Sequence, residues 1–192
     1  MDSYKIDNLI LDLDGTLIKQ EKVERMYRDA YYEAIRKLEK RGVHVPDKYK
    51  NHTYSNFREL SRKIEDFTTV FLEEYERSFN NFRREIEEEK ERAQKIYEYL
   101  ISTCKPDEVW VLTANPKGKD IIKIILPNIP ENRVVIANGV EYEEEKQRFL
   151  EKFEGRTLYV ADLDSLDGRI AKRNNTSFLN VREIEKQLFE NI

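Results

Sequence analysis

The sequence predicts an α/β fold in which a parallel five-stranded sheet carries an inserted block of helices. Three observations support this prediction. Short apolar runs alternate with amphipathic segments, which is the pattern of strands separated by helices. The first apolar run, which contains Leu9, Ile10 and Leu11, is apolar on both faces, as expected for a central strand. Between about Glu21 and Thr103, apolar residues instead recur at steps of three and four, as they do in helices.

The other predicted strands all follow this helical insertion. They are Glu108–Thr113, Arg133–Ala137, Thr157–Ala161 and Thr176–Leu179. Helices are predicted between them, and the helix after Thr113 is expected to begin with Asn115 as its N-cap and Pro116 in its first turn. The alternation predicts a Rossmann-like, doubly wound sheet. We assign residues 1–18 and 105–192 to this sheet domain and residues 19–104 to the helical insertion.

Composition restricts the classes of function that the chain can have. Of its 192 residues 38% are charged, but the formal net charge is only -4, whereas a nucleic-acid surface needs a basic excess. The single cysteine, Cys104, cannot form an internal disulfide, which favours a reducing compartment. The N-terminal residues lack a signal-peptide pattern, and no apolar run is long enough to span a membrane. We therefore expect a cytoplasmic protein without nucleic-acid or membrane partners.

Charged and hydroxyl side chains collect at the predicted carboxyl ends of the strands. Asp12 and Asp14 follow the first strand one residue apart, so that both face the same side of it. Thr113 ends the second strand, and Asp162 follows the fourth. Ligands of open α/β sheets bind beyond these ends. Lys146 lies on the helix before the fourth strand, and one cation among several carboxylates suits a phosphate group bound together with Mg2+, a hard cation that prefers oxygen ligands.

The string Asp-x-Asp-Gly-Thr after an apolar strand, here residues 12–16, resembles the first motif of the haloacid dehalogenase (HAD) superfamily, and specifically that of its phosphatase branch. The resemblance extends along nearly the whole chain. Thr113 matches the second motif, Lys146 the third, and Asp162 with Asp167 the fourth. The helical insertion resembles the type-1 cap of the superfamily, as in phosphoglycolate-phosphatase-like enzymes.

This resemblance implies a Mg2+-dependent phosphomonoester hydrolase that acts on a small phosphorylated metabolite. Asp12 is expected to attack phosphorus and form an aspartyl-phosphate, and Asp14 to act as general acid and then general base. Thr113 would donate a hydrogen bond to the phosphoryl group, and Lys146 would offset its charge. The expected metal ligands are Asp12, Asp14 through its backbone carbonyl, Asp162 and Asp167.

Several alternatives remain open from the sequence alone. Asp164 competes with Asp167 as the second acid of the fourth motif, because the five-residue spacing from Asp162 is the less common one. Lys152 competes with Lys146 for the role of the third motif. A phosphosugar mutase and a non-catalytic, phosphate-binding regulatory protein are the alternative functions, and the chain is expected to be a monomer or a homodimer.

Overall fold

The computed structural model describes residues 5–189 and contains the predicted parallel sheet. The five strands are β1 (Asn8–Leu11), β2 (Glu108–Thr113), β3 (Val134–Ile136), β4 (Thr157–Ala161) and β5 (Ser177–Asn180). They are all parallel and lie in the order β3-β2-β1-β4-β5. The predicted α/β fold with a five-stranded parallel sheet and flanking helices is therefore confirmed.

Strand β1 occupies the centre of the sheet, as its apolar sequence requires. All four of its residues are buried. Leu11 pairs with Val111 of β2 on one side and with Val160 of β4 on the other. This register brings the carboxyl ends of the three central strands to the same edge of the sheet. The residues that follow β1, β2 and β4 are consequently neighbours in space although they lie far apart in sequence.

Eight α-helices lie among the described residues. They are α1 (Gln20–Lys40), α2 (Tyr54–Lys63), α3 (Phe67–Glu88), α4 (Lys90–Cys104), α5 (Gly118–Ile125), α6 (Tyr142–Leu150), α7 (Arg169–Arg173) and α8 (Val181–Phe189). A single π-helical turn, Asp164–Gly168, links β4 to α7. No helix in the described part of the chain combines the length and the apolar character needed to cross a membrane.

The chain divides into two compact units. One contains the sheet and is formed by the residues up to Gln20 together with those from Ile86 onwards, and the other is helical and spans Glu21–Glu85. The sequence placed the second boundary near residue 104, whereas the structure places it near residue 86. The reason is that α4 packs against α5 and α8 of the sheet unit. Helical periodicity shows that a segment is helical but does not show which unit it packs against.

An aromatic cluster forms the interior of the helical unit. The rings of Phe57 and Phe71 lie 4.8 Å apart between their centroids, and those of Tyr27 and Tyr75 lie 4.7 Å apart. Edge-to-face and tilted geometries of this kind add to the stabilisation that burial of the rings provides. The aromatic residues Phe71 and Tyr75 of α3 therefore pack within this unit.

Candidate active site

Asp12 and Asp14 lie where β1 ends and the chain turns away from the sheet. Asp12 is 5% exposed, and its Oδ1 accepts a hydrogen bond of 2.9 Å from the backbone N–H of Leu13. Gly15 has a positive φ of 76°, and a Cβ placed on it would lie 2.3 Å from Oδ2 of Asp162. The glycine thus allows both the turn and the close approach of Asp162 to the β1 end.

Lys146 is brought to the same place by helix α6. Phe149 and Leu150, three and four residues further on, are buried in the hydrophobic core on that face of the helix, which turns Lys146 inwards as well. Its Nζ lies 3.0 Å from Oδ2 of Asp12 and 3.3 Å from Oδ1 of Asp167. Lys146 is 4% exposed, so this cation is shared between two carboxylates away from bulk water.

Asp167 is positioned by the π-helical turn after β4. Its backbone N–H donates to the carbonyl of Leu163 at 2.8 Å, and the residue is 1% exposed. The hydroxyl of Tyr159, a buried residue of β4, donates to Oδ1 of Asp167 at 2.9 Å. Turns of this type occur frequently at functional sites, because the extra residue redirects a side chain. Here the turn directs Asp167 towards Lys146 and the end of β1.

Three carboxylates converge at this edge of the sheet. Oxygens of Asp12, Asp162 and Asp167 all lie within 4.8 Å of one another. This is the composition of a site for a hard divalent cation. Asp164, the alternative second acid, is exposed, and its Oδ1 instead accepts a hydrogen bond of 2.9 Å from Asn180. Asn180 also donates to the backbone carbonyl of Asp162 at 3.1 Å, which fixes the loop that carries the acids.

Burial and the neighbouring charges strongly perturb the ionisation of these groups. Burial raises the pKa of Asp12 to about 8; Lys146 opposes this shift, while Asp167 and Asp14 add to it. Burial also raises the pKa of Asp162, and Asp167 adds to that shift. Burial alone would lower the pKa of Lys146, but Asp12 and other neighbours hold it well above its ordinary value. The three carboxylates share one buried ammonium group, that of Lys146, and this excess of acidic groups favours the binding of a further cation.

Comparison with known proteins gives a likeness of fold only. No family model and no curated protein matches the sequence. Among solved structures, the putative HAD-hydrolase YfnB from Bacillus subtilis, determined bound to magnesium, is similar with a TM-score of 0.42 and 15% identity, over 91% of this chain and 87% of that chain. A hydrolase from Streptococcus pneumoniae TIGR4 is similar with a TM-score of 0.40 and 14% identity, over 96% of this chain and 98% of that chain. Similarities this low do not assign a function.

Thr113 and the loop after β2 complete the site in a way that the sequence did not predict. The prediction that Asn115 is the N-cap of the next helix is wrong, because α5 begins three residues later, at Gly118. The Asn115 side chain accepts from the N–H of Lys117 at 2.9 Å in the turn before α5, and its Nδ2 also donates to Oδ1 of Asp14 at 2.9 Å. Thr113 is fully buried, and its Oγ1 accepts a hydrogen bond of 3.0 Å from the N–H of Asn115. Thr113 is thereby linked to Asp14 through Asn115.

The structure thus brings Asp12, Lys146, Asp162 and Asp167 together, and hydrogen bonds of Asn115 link Thr113 to Asp14. Lys152 is exposed and lies over the ring of Phe149 rather than near a carboxylate. Sequence reasoning missed Asn115, Tyr159 and Asn180. The signal for Asn115 was its place two residues after a strand end, whereas a buried tyrosine within a strand carries no signal beyond that of a core residue.

Proposed function

We propose that this chain is a HAD-type phosphatase that hydrolyses phosphomonoesters of small metabolites with the help of Mg2+. One observation carries the proposal. Asp12, Asp162 and Asp167 approach within 4.8 Å of one another, and Lys146 Nζ lies between Asp12 and Asp167. A carboxylate nucleophile, carboxylate ligands for a cation and a fixed positive charge are the groups that phosphoryl transfer to an aspartate requires.

The donor set fits Mg2+ in its chemistry and its charge. Asp12, Asp162 and Asp167 supply hard carboxylate oxygens, and the backbone carbonyl of Asp14 is the fourth ligand that we propose. Burial raises the pKa of Asp12 to about 8 even with Lys146 beside it, so a further cation would favour the ionised carboxylate. When bound, Mg2+ would supply positive charge that reduces the repulsion between the Asp12 carboxylate and a phosphate dianion.

In the first half of the proposed reaction, a carboxylate oxygen of Asp12 forms a bond to phosphorus. The bond between phosphorus and the ester oxygen breaks, and Asp14 gives its proton to the departing oxygen. Asn115 holds the Asp14 carboxyl group in place through its 2.9 Å hydrogen bond to Oδ1. Lys146 places its charge beside Asp12, where negative charge collects on the transferring group.

In the second half, the Asp14 carboxylate takes a proton from a water molecule. The water oxygen forms a bond to phosphorus, and the bond between phosphorus and Asp12 breaks, which restores the free carboxylate and releases inorganic phosphate. Thr113 and the backbone N–H groups that follow β2 are the proposed hydrogen-bond donors to the phosphoryl oxygens. The same residue, Asp14, therefore serves as acid and then as base.

We assign the role of a cap to the helical unit, Glu21–Glu85. A cap excludes bulk water from the reacting groups and contacts the leaving group, so this unit would determine which phosphorylated metabolite is used. A panel of phosphorylated metabolites tested for phosphate release would identify the class.

The proposal is tested with p-nitrophenyl phosphate in the presence of Mg2+ or of EDTA. We expect release of nitrophenol that depends on Mg2+ and is abolished by Asp12→Asn. Lys146→Ala is expected to lower turnover strongly, whereas Lys152→Ala, which removes an exposed lysine of the same helical region, serves as the matched control. Failure to release phosphate from any of several esters with Mg2+ present would contradict the proposal. Transfer of the phosphoryl group between two positions of a sugar would instead indicate a mutase.

A further inference from the structure

The ring of Tyr159 packs in the hydrophobic core, but packing alone gives no reason for its hydroxyl. The residue is fully buried on β4, where its ring meets that of Phe178 edge-on at 6.3 Å between centroids. A phenylalanine would make the same ring contact. The hydroxyl adds a hydrogen bond of 2.9 Å to Oδ1 of Asp167 and also interacts with Lys146. A buried hydroxyl is tolerated only when such a bond compensates for the loss of water, so this bond determines where the hydroxyl and the carboxylate lie.

Asp167 receives two donors of different kinds on the same oxygen. Lys146 Nζ reaches Oδ1 at 3.3 Å but lies closer to Asp12, at 3.0 Å from Oδ2. Tyr159 reaches Oδ1 at the shorter distance of 2.9 Å. Because Lys146 is shared between two carboxylates, its ion pair with Asp167 weakens when the ammonium group moves towards Asp12 or towards a group bound there. The hydrogen bond from Tyr159 does not compete with Asp12 in this way.

We propose that Tyr159 is a positioning residue that fixes the Asp167 carboxylate for cation binding and leaves Lys146 available to Asp12. The inference rests on the proposed function insofar as it takes Asp167 as a ligand of Mg2+. Partners that orient the ligands of a metal in this way commonly change metal affinity by about 10- to 100-fold when they are removed. The 2.9 Å bond of Tyr159 is to Asp167, and its hydroxyl is not among the proposed reacting groups, so we expect its main effect on Mg2+ affinity rather than on the chemical step.

The test is the substitution Tyr159→Phe, which removes one oxygen atom and keeps the ring. Titration of Mg2+ into the metal-free protein, followed by calorimetry, is expected to show binding weakened by about tenfold. The Mg2+ concentration for half-maximal turnover is expected to rise by a similar factor, with little change of kcat at saturating Mg2+. Circular dichroism and urea denaturation establish that the variant is folded.

Tyr31→Phe is the matched control, because Tyr31 is also fully buried and its hydroxyl donates to a single buried group, the carbonyl of Tyr49, at 2.6 Å in the helical unit. It removes the same atom and is expected to leave Mg2+ affinity unchanged. Equal Mg2+ affinity of Tyr159→Phe and the unsubstituted chain would overturn this inference and leave the phosphatase proposal intact. Weakened Mg2+ binding in Tyr159→Phe, in a chain that releases no phosphate from any ester, would support the inference and contradict the phosphatase proposal.

Discussion

Substitution of Gly15 by alanine is the most sensitive structural test of the site. The added Cβ would lie 2.3 Å from Oδ2 and 2.4 Å from Cγ of Asp162, whereas ordinary contacts begin at 3.4 Å. The Asp162 carboxylate must therefore move by about 1 Å, or the turn after Asp14 must open by as much. The positive φ of 76° adds about 1–2 kcal/mol of backbone strain for any residue with a Cβ.

The expected result is a chain that folds, is less stable by about 1–2 kcal/mol in urea denaturation, and has lost most of its activity. A displacement of 1 Å in a reacting or ligating group can cost about 100-fold in rate, so we expect a loss of that order in kcat/KM for p-nitrophenyl phosphate. Mg2+ affinity, measured by calorimetry, is expected to fall as well, because Asp162 is one of the proposed ligands.

Gly155→Ala provides a closely matched control at the opposite end of β4. Gly155 has a φ of 85°, and a Cβ placed on it would lie 2.3 Å from Oδ2 of Asp7, which is distant from the strand carboxyl ends. This variant carries the same backbone strain and the same kind of contact with a carboxylate, but outside the site. Normal Mg2+ affinity and turnover in Gly15→Ala, or equal losses in both variants, would refute the assignment of Asp162 to the site.

Three further predictions follow from the charges and hydrogen bonds of the site. Because the pKa of Asp12 is raised to about 8, Mg2+ must displace a proton from Asp12 when it binds below that pH. The apparent Mg2+ affinity should therefore increase by up to about tenfold per pH unit between pH 6 and 8. Calorimetry in two buffers of different ionisation enthalpy should detect the released proton. Lys146→Met leaves buried carboxylates without their cation and should lower the free energy of unfolding in urea by about 3–5 kcal/mol, whereas the exposed Lys152→Met should change it by less than about 0.5 kcal/mol. Asn115→Ala removes the donor to Asp14 and should lower kcat by about 10-fold to 100-fold without changing Mg2+ affinity. A variant with normal kcat would show that this hydrogen bond is not needed for proton transfer.

The sequence was sufficient to place a candidate site residue where that residue directly follows a strand. Asp12, Asp14 and Asp162 come immediately after apolar runs, and the geometry of parallel sheets then requires that they share one edge. The inward position of Lys146 could be predicted from the sequence because Phe149 and Leu150 mark the buried face of its helix. In each case a local pattern together with a general rule of topology determined the place of the side chain.

The remaining parts depend on contacts that a local pattern does not contain. Asn115 was interpreted as a helix cap because Asn before Pro is a good helix start, but its side chain is recruited by Asp14, which lies 101 positions earlier in the chain. Tyr159 is indistinguishable in sequence from any other core residue of a strand. The helix α4 has the same periodicity as the inserted helices and yet packs with the sheet unit. Tertiary packing determines the partners of these residues and of this helix.

The variant Asp14→Asn tests most directly whether the phosphoryl group is transferred to Asp12. Nitrophenol is a good leaving group that does not need the acid, whereas the second step needs Asp14 as a base. With p-nitrophenyl phosphate and Mg2+, this variant is expected to release about one equivalent of nitrophenol per chain in a burst and then to stop. Acid quenching, proteolysis and mass spectrometry should then locate the phosphoryl group on Asp12. A burst without a phosphorylated Asp12, or a phosphoryl group on another residue, would contradict the account.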